Sequence, residues 1–136
     1  MEWYLTVIRD NYANFSGRAR RKEYWLFVLI QIGIFVVLLT INSFLDELMD
    51  IQLGSIIFFI YILGTLVPWL ALNVRRLHDT GKSGGYIFIN LIPIIGRIWY
   101  IVLMATNGDH GHNAYGADPK GDPFEEIEEI GTHTTQ

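Results

Sequence analysis

Residues 85–108 read GYIFINLIPIIGRIWYIVLMATNG, and the fold turns on how they are read. The stretch is apolar enough to enter a bilayer, but Pro93, Gly96 and Arg97 interrupt it. As a single span it would be one helix with a break near its middle. Arg97 would then lie inside the bilayer and have to snorkel or find a polar partner. As a hairpin, PIIGR would form a turn between two short arms. Such arms fit only a thinned bilayer or a re-entrant pair held against other helices. The single span is the favoured expectation, because each hairpin arm is short.

The two preceding apolar stretches are plainer. Residues 24–45, YWLFVLIQIGIFVVLLTINSFL, and residues 51–74, IQLGSIIFFIYILGTLVPWLALNV, contain no charged side chain. At about 1.5 Å per residue each covers the roughly 30 Å hydrocarbon core. Buried helices of a soluble core are the alternative, but 136 residues cannot supply the shell that two such helices need. Pro68 should kink the second helix, and a neighbour must then satisfy the freed carbonyl.

The composition agrees with this. There is room for one domain. Hydrophobic residues make up 51% of the chain and charged residues 18%, against about 25% in soluble domains. The charges gather at the ends and in short clusters. With no cysteine, disulfides, thiol nucleophiles and cysteine metal sites are excluded. The net charge of −4 says little, because the acidic excess lies in the tail.

Lys and Arg set the expected orientation. Arg9, Arg18, Arg20, Arg21 and Lys22 precede the first span, and Arg75, Arg76 and Lys82 follow the second. The loop between the spans, DELMD, has no base. The positive-inside rule puts the N-terminus and the 75–85 loop in the cytoplasm. The C-terminal tail is outside with three spans and inside with the hairpin.

The start is not read as a cleavable signal peptide, because the apolar run begins only at Tyr24 and no A-x-A-like site follows. Residues 1–15 instead place Trp3, Tyr4, Val7, Ile8, Tyr12 and Phe15 at helical spacing. That predicts an amphipathic helix, lying in the membrane interface or packed on the cytoplasmic ends of the spans. Residues 107–123 are rich in turn formers. Residues 124–136 form an acidic tail with little to bury, expected to be disordered or to form a weak short helix.

Several stretches raise chemical possibilities. RRLHDTGKSGG (75–85) contains Gly-Lys-Ser, but the position of the leading phosphate-loop glycine is Arg76 and a membrane helix precedes it. His78 and Asp79 are neighbours on a helix and do not face each other as a catalytic pair must. The structural reading is a helix terminus: Arg75 and Arg76 against the dipole of the second span, Asp79 paired with an arginine of GRARRK, and Ser83 capping the next helix. DHGH (109–112) offers possible metal ligands without a fixed geometry or an evident fourth ligand. No metal, cofactor or catalytic residue is therefore assigned. GRARRK (17–22) beside a span fits anionic lipid better than nucleic acid.

Taken together, WYL near the start, FSGRARRKEYW (15–25), RRLHDTGKSGG, IPIIG (92–96) and NGDHGHNAYGADP (107–119) resemble the family called domain of unknown function 805 (DUF805), small bacterial inner-membrane proteins. The resemblance covers residues 1 to about 123 and leaves 124–136 outside. It implies a bacterial inner membrane and several spans, but no activity. By position it singles out Gly17, Arg18, Arg21, Tyr24, Trp25, Arg75, Arg76, His78, Asp79, Ser83, Asn113, Tyr115, Gly116, Asp118 and Pro119. Leu77, Gly84, Gly108 and Gly111 also match, whereas His110 and His112 do not. Arg97 stands where an apolar or aromatic residue is expected, which speaks for the hairpin. A hairpin would also let the arginines of the first two motifs meet Asp79 and Asp118.

The expected fold is thus an all-α, multi-pass transmembrane bundle with an N-terminal interfacial helix and spans near 24–45, 51–74 and 85–107. The expected function is that of a non-enzymatic membrane component whose charged cytoplasmic cluster docks a partner, an anionic lipid headgroup or another copy. A subunit of an oligomeric transporter or channel is the first alternative. A membrane enzyme using His78 and Asp79 is the second.

Overall fold

A computed structural model describes residues 2–49 and 52–119. The helices are α1 (Glu2–Leu5), continued by a π-helical turn at Thr6–Asp10, then α2 (Arg21–Met49), α3 (Leu53–Asp79), a 3-10 helix (Gly84–Leu91) and α4 (Ile95–Ala105). Among the described residues there is no strand beyond an isolated antiparallel bridge between Asn113 and Gly116. The chain divides into two units, Met1–Phe15 with Lys22–Asn73, and Ser16–Arg21 with Val74–Gln136. The acidic 124–136 tail lies outside the described residues.

In the first unit α2 and α3 are long and apolar enough to cross a bilayer. Only 11% and 17% of their apolar windows are buried, which argues against core helices of a soluble fold. Leu29, Phe44, Phe59 and Ile60 point outward. Phe35 meets Phe58 edge-on, Gln31 reaches Thr65 and Ser55 reaches Asn42, so the two helices run antiparallel. α3 continues through Pro68. The N-terminal helix is shorter than the 1–15 periodicity predicts. It ends at Asp10, where Asn11 and Asn14 build a turn. Its buried face carries Val7, and Tyr4 stacks on Phe27 at 5.2 Å, so it packs on the bundle; Trp3, Tyr12 and Phe15 stay exposed.

In the second unit the favoured single span gives way to a hairpin. Residues 84–105 are a 3-10 helix and α4, folded back at Ile92–Ile94. Three local causes act together. Pro93 has no backbone N–H, and it pushes Ile92 to an extended ψ of 115°. Ile94 takes φ 64° and ψ −68° in a γ-turn, with the Ile95 N–H donating to the Pro93 carbonyl at 2.8 Å. Gly96 lets the arms close: a Cβ there would overlap the Ile89 carbonyl oxygen. Arg97 stands exposed just after the turn.

The 75–85 stretch is the end of α3 and its cap. Gly81 takes φ 73°, its N–H donates to the His78 carbonyl, and the Lys82 N–H donates to Leu77. That is a Schellman stop with glycine in the left-handed position.

Candidate functional site

The hairpin returns the chain to the end of α3, and there the polar motifs meet. At its centre is Asp79, which lies beyond the uncharged 51–74 run by about 7 Å of helix. One carboxylate oxygen accepts from Arg18 Nε at 3.0 Å and the other from Arg76 Nη1 at 2.6 Å. The three side chains are at most 2% exposed. Burial pushes the Asp79 carboxyl up from its ordinary value, and the Arg76 and Arg18 guanidiniums oppose that shift. Gly108 passes so close that any Cβ would overlap the carboxylate.

Each arginine also reaches main-chain carbonyls. Arg76 donates to Met104 and Thr106, so it satisfies carbonyls at the C-terminus of α4. Arg76 stands in the last turn of its own helix as expected, and its guanidinium serves the end of α4 besides. Arg21 joins it on the Ala105 carbonyl at 3.1 Å. Arg18 donates to the carbonyls of Asp109, Gly111 and Gly116, and lies 4.0 Å from Asp118. The planar five-donor fork of arginine suits such a spread of acceptors. Arg75 is buried, and its carbonyl accepts from the Ala19 N–H at 3.0 Å.

His78 is held on two sides. Its Nδ1 lies 3.0 Å from the Gly17 carbonyl, which can only accept, so Nδ1 carries the proton. Its ring stacks on Tyr115 with centroids 4.0 Å apart and planes 2° from parallel. Gly17 presents that carbonyl from φ 81°, a conformation suited to glycine. Asn113 bridges the tail to α3: its amide donates to the His78 carbonyl at 2.9 Å, and its oxygen accepts from the Tyr115 N–H. Asp118 accepts from the Gly111 N–H at 3.1 Å, with Pro119 next to it in the chain.

The expected meeting of the first two motifs with Asp79 and Asp118 is therefore present. Tyr24 and Trp25 are described with the first unit. They lie at the start of α2, edge-to-face at 5.5 Å. Ser83 sits at the cap position, but its hydroxyl makes no cap hydrogen bond and the helix it precedes is 3-10. Ser83→Ala is accordingly expected to shift stability by less than about 0.5 kcal/mol, where a working cap would cost about 1 kcal/mol; a detergent melting curve checks this. His110 and His112 are exposed, and among the described residues no group of three His, Cys, Asp or Glu side chains converges. Asp109, which the sequence offers only as a possible metal ligand, instead bonds through its N–H, carbonyl and carboxylate to Asp79, Arg18 and Asn113.

Comparison with known proteins agrees with these motifs. The profile of the family described as protein of unknown function (DUF805) matches residues 12–117. The inner membrane protein YhaI of Escherichia coli (strain K12) is 43% identical over 120 residues, covering 88% of this chain and 97% of its own. Inner membrane protein YhaH of the same strain is 43% identical over 130 residues, covering 90% and 100%. The uncharacterized protein YiiR is 25% identical, covering 77% and 85%. No solved structure matches the chain.

Proposed function

The chain belongs to the DUF805 family, and from that premise we propose that it is a multi-pass inner-membrane protein whose three polar motifs form a non-enzymatic cytoplasmic clasp. The observation that carries the reading is the Arg18–Asp79–Arg76 cluster, in which buried charges bond to one another and to main-chain carbonyls. His78 fits the same description, with one ring nitrogen on Gly17 and one face on Tyr115. A group engaged in this way fixes geometry, which favours a structural role over acid–base chemistry.

α2 and α3 supply the two crossings. Their cationic ends face the cytoplasm, and the Asp46–Glu47 end faces outward. The hairpin enters from the cytoplasmic side and goes no further than mid-depth. Eight 3-10 residues at about 2.0 Å, or eleven helical ones at about 1.5 Å, reach roughly 16 Å of a 30 Å core. Both termini are then cytoplasmic. The exposed Arg21 and the half-exposed Lys82 give the clasp a cationic rim suited to anionic headgroups or an acidic face of a membrane partner.

A reporter fused after Gln136 tests the arrangement. A fluorescent protein that matures only in the cytoplasm should light up there, and a phosphatase active only outside should stay silent. The opposite pattern would put the tail motif across the membrane from Arg18 and end the proposal.

A further inference from the structure

In an α-helix each carbonyl accepts from the N–H four residues on. For Gly64 that residue is Pro68, which has no N–H. Gly64 also lies near the middle of the uncharged 51–74 run, where a bilayer offers no water to replace the missing donor. The structure fills the gap from the N-terminal segment: the Tyr12 hydroxyl donates to the Gly64 carbonyl at 2.7 Å.

The same segment makes further contacts with the first unit. The Tyr4 ring stacks on Phe27, and its hydroxyl lies 3.5 Å from both Gln31 Oε1 and the Tyr61 hydroxyl. Gln31 in turn reaches the Thr65 hydroxyl at 3.3 Å, and Thr65 donates to the Tyr61 carbonyl. Val7 is fully buried. A helix floating flat in the membrane interface would have no reason to make these contacts.

We infer that the N-terminal segment is an intramembrane strap, and that Tyr12 closes a hinge in α3 by replacing the backbone donor Pro68 lacks. Without the strap, α3 is two helical rods joined at a position short of one hydrogen bond, free to bend there. With it, the break is bridged from outside the helix.

A double-mutant cycle on the full chain in detergent tests this. Tyr12→Phe keeps the ring and removes only the donor. It is expected to lower the melting midpoint by roughly 3 °C and to speed amide exchange around residues 65–72 about 5-fold. In a Pro68→Ala background the helix regains its own N–H, and Tyr12→Phe should then change neither quantity. Equal effects in both backgrounds would overturn the inference, since Tyr12 would be acting through something other than the proline gap. So would Tyr12→Phe leaving exchange near Pro68 unchanged in the otherwise native chain, a result that does not depend on how Pro68→Ala folds.

Discussion

Asp79→Ala should be the most damaging single substitution in the chain. It removes the shared acceptor of Arg18 and Arg76 and leaves two buried guanidiniums without their carboxylate. Breaking a buried ion pair from one side costs about 3–5 kcal/mol, because the remaining charge stays desolvated. Much of a small protein's net stability is of that size. The expected result is a collapse in membrane accumulation and, for any protein recovered, a melting midpoint lower by 10 °C or so. Asp118→Ala is the internal control. Its carboxylate is 4.0 Å from Arg18 and partly exposed, so the loss should be nearer 1 kcal/mol. If Asp79→Ala behaved as mildly as Asp118→Ala, the clasp would not hold the unit together.

Gly96→Ala comes second. The substitution is conservative by volume and would raise helix propensity at an ordinary site. Here the new methyl would overlap the Ile89 carbonyl, which is backbone and cannot rotate away, and would crowd the Ile92 side chain. The arms must part, at a cost of about 1–3 kcal/mol. Gly33→Ala on α2 has nothing within 4 Å and should be neutral or slightly stabilising. A melting comparison of the two variants isolates the hairpin contact from helix propensity. Equal behaviour would mean that the arms do not approach at Gly96.

These two sites mark how far the sequence could be read. The long helices were plain, because an uncharged run of bilayer length has few other uses. Their ends extend past the apolar runs to Arg21 and Asp79, since backbone hydrogen bonding does not stop where hydrophobicity does. The break at Pro93 and Gly96 was visible, but arm length favoured a single span. The re-entrant pair was legible as an alternative, but the greater rise of a 3-10 arm leaves no mark in an apolar pattern. Pairing of Asp79 with an arginine of GRARRK followed from charge alone. The targets of Arg76 did not, because the carbonyls of Met104 and Thr106 leave no mark in the side-chain pattern. The tie that Asp109 makes was hidden for a related reason: two of its three bonds are made by its backbone.

The reach of Arg18 has a consequence for biogenesis. Its bond to Asp79 spans 61 residues and its bond to Gly116 spans 98. When α2 leaves the ribosome, neither partner has yet emerged from it, so Arg18 must wait as a bare, hydrated cation at the membrane surface. In the proposed topology it belongs during that interval to the charge cluster that holds the N-terminus on the side of synthesis. Only after the tail motif emerges does the same guanidinium leave water for its buried ion pair. One side chain thus serves first as a topological signal and later as a structural tie, and the order of translation separates the two duties in time.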